Sequence, residues 1–185
     1  EYLAGTVNHP SLDPSELGGT CNLGSLLLHN FVKFPFTHSA TVRWDDLYDT
    51  IQVAVRMLDD IIDVNKYPDK IYENYQKSMR TIGLGYTGLA DMLAMLGMKY
   101  NSEKAYKFTD KLMSFCTAAA YEASIELAKE KGCFPMCDPL AHANSQFIKE
   151  NLDSYLANQI VKNGIRNAKI QAVAPTGTMS LTFGN

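Results

Sequence analysis

The chain has 185 residues, 46% hydrophobic and 20% charged, with 17 basic against 20 acidic side chains and a formal charge of −3. That composition supports a buried core and argues against wholesale disorder. It carries no basic surplus for nucleic acid and no apolar run of the roughly 18 residues a membrane span needs. The four cysteines, with no signal-peptide pattern, fit a reducing cytosol better than a secreted disulfide scaffold. The chain opens at Glu1 and stops at Asn185 just past a hydroxyl-rich motif, so it reads as a fragment, 1–185, forming a single unit of a larger domain.

Residues 1–20, with their Gly, Pro, Asn and Ser, read as loop. Cys21 to Phe36 is apolar and fits either a short buried strand with a turn or a short helix. Leu47, Ile51, Val55, Leu58 and Ile62 predict a helix over Trp44–Val64, with Asp49, Gln52, Arg56 and Asp63 outside and Pro68 ending the pattern. A second helix is expected from about Thr87 to Leu96, before Gly97. A third starts at Asn101 or Ser102, both fit N-caps, and runs to Lys131 before Gly132. Its middle, Cys116 to Ala123, is mostly small and admits a close neighbour. Phe147, Ile148, Leu152, Leu156 and Ile160 predict one amphipathic helix over 144–163. Ile170, Ala172 and Ala174 alternate with their neighbours ahead of Pro175, as in a short strand entering a tight turn. The expected class is α/β, helix-rich, with few short strands.

Gly83-Leu84-Gly85-Tyr86-Thr87-Gly88 matches the dinucleotide fingerprint G-x-G-x-x-G. That fingerprint needs a preceding strand, and a later one ending in an acid. Arg80 interrupts the first, and Glu103 opens a helix. The glycines therefore read as a tight turn and close helix packing; an NAD-dependent sugar-nucleotide dehydrogenase is the alternative. Asp59, Asp60 and Asp63 spell D-D-x-x-D, but with no opposing acidic cluster they read as a solvated helix face rather than a magnesium-diphosphate site. Cys133 and Cys137, with His142 nearby, fall one ligand short of a zinc site, so no metal is assigned. Cys116 reads as a small core residue, and His9, His29, His38 and His142 as surface or structural.

Cys21 follows a Gly18-Gly19-Thr20 turn and precedes the apolar run, which puts a thiol where loop meets core. A plain buried cysteine is the bland alternative. In Pro175-Thr176-Gly177-Thr178-Met179-Ser180, proline fixes the entry and Gly177 removes a side chain. Backbone amides and the three hydroxyls can then face a phosphate. Without a lysine this is not a Walker loop.

Six landmarks occur in order: Cys21-Asn22-Leu23-Gly24-Ser25-Leu26, Ile61-Ile62-Asp63-Val64-Asn65-Lys66-Tyr67-Pro68, Arg80-Thr81-Ile82-Gly83-Leu84-Gly85, Gly88-Leu89-Ala90-Asp91-Met92-Leu93, Glu122-Ala123-Ser124, and Ala174 to Ser180. Together they resemble the large catalytic subunit of ribonucleotide reductases over nearly the whole chain. The resemblance implies a ten-stranded α/β barrel of which this is a part, and thiyl-radical reduction of ribonucleotides. By motif position it implies that Cys21 is one of a redox pair. It implies that Glu1 is the general base on the 3′ hydroxyl, and that Pro175, Thr176, Gly177, Thr178, Met179 and Ser180 bind the substrate phosphates. The thiyl cysteine and the second redox cysteine belong upstream, so the fragment alone is expected to be inactive. The wording of Gly85 to Leu93 is closer to the adenosylcobalamin-dependent class, with a di-iron or di-manganese radical subunit as the alternative. Neither cofactor is expected on this fragment. The implied partners are the ribonucleotide, the rest of the catalytic subunit, a thioredoxin- or glutaredoxin-type reductant and a second copy in a homodimer. No nucleic-acid or membrane partner is expected, and the location is cytoplasmic. A non-catalytic helical interaction module is the remaining alternative.

Overall fold

In the computed structural model, which describes residues 19–184, the first element is a strand, β1 (Asn22–Leu27). A 3-10 turn over Leu28–Phe31 leads into β2 (Val32–Lys33), which pairs antiparallel with β3 (Thr41–Val42). The apolar stretch from Cys21 is thus strand and turn. Helix α1 (Trp44–Val64) follows with the bounds its spacing predicts. Leu47, Ile51, Val55, Leu58 and Ile62 are all buried along one stripe. Asp45 and Asp46 occupy its first turn, where carboxylates favour the helix dipole.

Two elements then depart from expectation. Helix α2 (Lys70–Met79) is capped by Asp69, whose carboxylate accepts from the Ile71 amide at 2.9 Å. Strand β4 (Ile82–Thr87) is formed by the glycine motif itself. It pairs in parallel with β1, Asn22 opposite Ile82 and Leu27 opposite Thr87. The tight-turn reading fails for Gly83 and Gly85, which lie inside a buried strand; Gly88, at φ 73°, makes the turn into α3 (Leu89–Met95).

Helix α4 (Glu103–Lys131) starts at Ser102, whose hydroxyl accepts from Ala105, and stops at Gly132. Its small residues do admit a neighbour: Ala119, Ala120 and Ala123 are buried, and α4 packs along α1. Gln52 Nε2 reaches the Ala119 carbonyl at 2.9 Å and Tyr48 donates to Glu122 at 2.9 Å. Cys116 is fully buried in this core.

Short helices α5 (Pro139–Ala143), α6 (Gln146–Asn151) and α7 (Ser154–Asn163) complete the helical layer. The single helix expected over 144–163 is broken because Asp153 caps a new one, accepting from Leu156 at 2.8 Å. Beyond α7, residues 169–172 run beside β4, but the regular strand expected there is reduced to one parallel bridge, Gln171 to Leu84. Ile82 donates to Lys169 and Leu84 to Ile170, so two steps of β4 meet one step of the neighbour. That mismatch breaks the ladder as a bulge does. The chain ends in α8 (Gly177–Phe183). The described residues form helix-rich α/β architecture without a closed barrel.

Candidate functional site

β1, β4 and residues 169–172 form a three-ribbon parallel array with two distinct faces. A Cβ on Gly24 would lie 3.4 Å from Leu58 of α1, so the even positions of β1 pack on the helix. Asn22 does the same, donating to the Leu58 carbonyl at 3.2 Å. Side chains alternate along a strand, so Leu23 and Ser25 face away from α1. Leu23 is 57% exposed. Cys21 shares that parity one step before β1, and its thiol is exposed and free. The bland reading of a buried cysteine is overturned.

Opposite Leu23 and Ser25 stand Gly83 and Gly85. A Cβ at Gly83 would come within 2.5 Å of Leu23 Cδ2 and 3.1 Å of Ala172 Cβ. At Gly85 it would come within 2.6 Å of the Ala172 carbonyl and 3.3 Å of Ser25 Oγ. The glycines let neighbouring ribbons close over β4 and leave a low floor beyond Cys21. They do not form a loop that cradles a dinucleotide, so the NAD-dependent alternative has no support.

The hydroxyl-rich segment sits elsewhere on the array. After Val173, 92% exposed, the chain passes Pro175 and enters α8 with Thr176 at its N-cap, where no side chain among the described residues caps the first amides. Ser180 donates to the Gly177 carbonyl at 2.8 Å and Thr182 to Thr178 at 3.0 Å. No residue of α8 is buried. Cys21 lies at the N-terminal end of β1 and Ala174 beyond the C-terminal end of its ribbon, about 20 Å apart measured along the strands. The described residues therefore place the thiol and the hydroxyl segment at opposite ends of one array rather than in one cleft. A groove of about 490 Å³ lies beside the array, lined by Tyr86, Met113, Tyr121, Phe147 and residues 168–173; Cys21 does not line it. Glu1 and His9 lie outside the described residues.

The D-D-x-x-D cluster is a solvated face only at Asp60 and Asp63, which are half exposed, and not at Asp59. Asp59 is 0% exposed and holds three partners. Arg80 Nε donates to its Oδ1 at 2.8 Å, Arg166 Nε to its Oδ2 at 3.1 Å, and Asn167 Nδ2 to its Oδ1 at 2.9 Å. Arg80 also grips Asp63 through both terminal nitrogens at 2.8 and 2.9 Å, which holds the Asp63 carboxyl below the usual carboxylate range. Arg166 Nη1 reaches the Lys131 and Gly132 carbonyls at the end of α4, each at 3.0 Å. This hub ties α1, the start of β4, the end of α4 and the entry to residues 169–172 together. It sets the height of the array against the helices. Sequence spacing carried one signal for it: position 59 falls on the stripe of Val55, Leu58 and Ile62.

His142 is buried and its Nδ1 has no hydrogen-bond partner among the described residues; burial pushes its imidazole below the ordinary histidine range. Among the described residues no three His, Cys, Asp or Glu side chains gather to hold a metal ion. No helix among them is long and apolar enough to cross a membrane.

The family described as ribonucleotide reductase, barrel domain, matches residues 10–185. A vitamin B12-dependent ribonucleoside-diphosphate reductase of Mycobacterium tuberculosis is 39% identical over 165 residues, covering 89% of this chain and 21% of that protein. Its counterpart in Thermoplasma acidophilum is 36% identical over 165 residues, covering 89% and 19%. The ribonucleoside-diphosphate reductase large chain of Neurospora crassa is 34% identical over 181 residues, covering 93% and 19%. The chain thus spans about a fifth of the length of these relatives. With a thiol at the head of a parallel array and a family match across all six landmarks, this chain belongs to the ribonucleotide reductase barrel-domain family.

Proposed function

We propose that the chain is part of the catalytic barrel of an adenosylcobalamin-dependent ribonucleoside-diphosphate reductase, and that Cys21 is one of its two reducing thiols. The observation that carries this reading is the exposed Cys21 thiol, on the array face where Gly83 and Gly85 carry no side chains. In the overall step the ribose 2′ C–O bond breaks, a C–H bond replaces it and the hydroxyl leaves as water. Two thiols give up two electrons and two protons and end as a disulfide. A thioredoxin- or glutaredoxin-type dithiol in the cytosol returns them by exchange. The thiyl cysteine and the second redox cysteine lie in the part of the barrel upstream.

Pro175, Thr176, Gly177, Thr178, Met179 and Ser180 are assigned to the substrate phosphates. What supports this is the N-terminus of α8, whose amides lack a side-chain cap. The remaining strands of a ten-stranded barrel would bring ribose and phosphate sites into one cavity. Glu1 is assigned as the base on the 3′ hydroxyl by its position in the motif. Adenosylcobalamin supplies the radical when bound; no residue of this segment is assigned to it.

The experiment is reduction of a ribonucleoside diphosphate by the full-length protein with adenosylcobalamin and a small dithiol. Deoxyribonucleoside diphosphate should form over many turnovers. No product with intact, folded protein refutes the reading.

A further inference from the structure

We propose that Cys133 and Cys137 form a second dithiol, separate from Cys21, that closes to an intrachain disulfide by exchange with a small disulfide. The pair starts one residue after Gly132, where α4 stops at φ 84°. Cys137 N donates to the Phe134 carbonyl at 2.9 Å, closing a four-residue turn. Such a turn brings its end residues, Phe134 and Cys137, within about 7 Å, and Cys133 directly precedes it. Phe134 N bonds to the Ile165 carbonyl at 3.2 Å, and the Phe134 ring is buried, so the turn is fixed in place.

Both sulfurs then rest on the same short segment. Cys133 Sγ lies 3.6 Å from the Asn163 carbonyl. A Cβ on Gly164 would fall 2.0 Å from Cys133 Sγ, so only glycine leaves room for that thiol. The Cys137 thiol lies near enough to the Ile165 backbone and to the Cys133 side chain for both to act on its titration. Both cysteines are partly exposed, unlike Cys116. Burial pushes the Cys137 thiol up to about 11, which disfavours Cys137 as the group that attacks an incoming disulfide first and leaves it the closing step. Two S–H bonds and the incoming S–S bond break, one intrachain S–S bond forms, and the incoming disulfide leaves as two thiols. The turn adjoins the Asp59 hub, because Arg166 holds the Lys131 and Gly132 carbonyls and Met136 N bonds to Ser78 of α2 at 3.3 Å. Closure therefore staples the junction of α2, α4 and residues 163–167.

The test uses the full-length protein treated with oxidised glutathione, alkylated with N-ethylmaleimide and digested with trypsin. Cys133 and Cys137 fall in one peptide, residues 132–149. That peptide should carry no maleimide and weigh about 2 Da less than its dithiol form, and dithiothreitol should restore both labelling sites. In Cys137→Ser, Cys133 should retain glutathione. Maleimide on both cysteines of the wild-type protein, or a bridge from either one to another cysteine, overturns the proposal.

Discussion

Arg80 donates from Nε to Asp59 Oδ1 at 2.8 Å while its own backbone stands in the left-handed region, at φ 46° and ψ 48°. A non-glycine residue pays about 1–2 kcal/mol for that conformation, and here it ends α2 and turns the chain into β4. Fully buried Asp59 meets two guanidinium groups, and removing Arg80 leaves the buried carboxylate with only the longer bond from Arg166 and the bond from Asn167. Arg80→Ala should destabilise the full-length protein by about 3–5 kcal/mol, read as a loss of Tm in calorimetry. A loss within experimental error contradicts the structural role of the hub.

Asp63 gives the same hub a pH dependence. Its bond from Arg80 lowers the folded pKa, so its contribution is present above the ordinary carboxylate range and is lost as pH falls through the folded value. Asp63 is half exposed, so solvent screens the effect. Asp63→Asn should flatten the acid limb of a stability-against-pH curve below about pH 4 and leave its neutral region shallow. His142 acts higher up the scale. Its folded pKa is depressed by burial, so the unfolded chain takes a proton first as pH falls below about 6.5. Stability should decline from there until the folded value is passed, and His142→Phe should remove that decline.

The glycines of β1 and β4 differ in what surrounds them. Gly85→Ala drives a Cβ against the Ala172 backbone carbonyl and should cost about 1–3 kcal/mol. Gly24→Ala meets only Leu58 side-chain atoms at ordinary contact and should be tolerated within about 1 kcal/mol. Urea melts of both variants check the contrast; equal effects would refute the close approach of residues 169–172. Neither protein should bind NAD.

The thiols should separate by access. Burial holds the Cys116 thiol up at about 12, against an exposed Cys21. Maleimide at neutral pH should label Cys21 within minutes and Cys116 only after unfolding. Mass spectrometry of timed quenches distinguishes them.

How much of this was legible in the sequence depended on where the deciding contact lies. α1 and α4 announce themselves through their own spacing and through Ser102 and Gly132. β4 does not, because its glycines become a strand only between β1 and residues 169–172, ribbons distant along the chain. Asp59 misleads for the same reason: its partners Arg80 and Arg166 lie 21 and 107 residues away. The short α2 is hard to read although Asp69 caps it, since it is mostly polar and one of its three buried residues is Gln76. Cys21 was legible as a boundary thiol; its outward parity was not, because strand and helix could not be told apart there.

The most direct measurement replaces Cys21 by Ser in the full-length protein and counts deoxyribonucleoside diphosphate formed per active site, with cofactor and dithiol in excess. A residue that supplies reducing electrons cannot be spared, so the variant should stay folded by circular dichroism and yield less than about one product per site. Sustained turnover near the wild-type rate would contradict the assignment of Cys21 to the reducing pair.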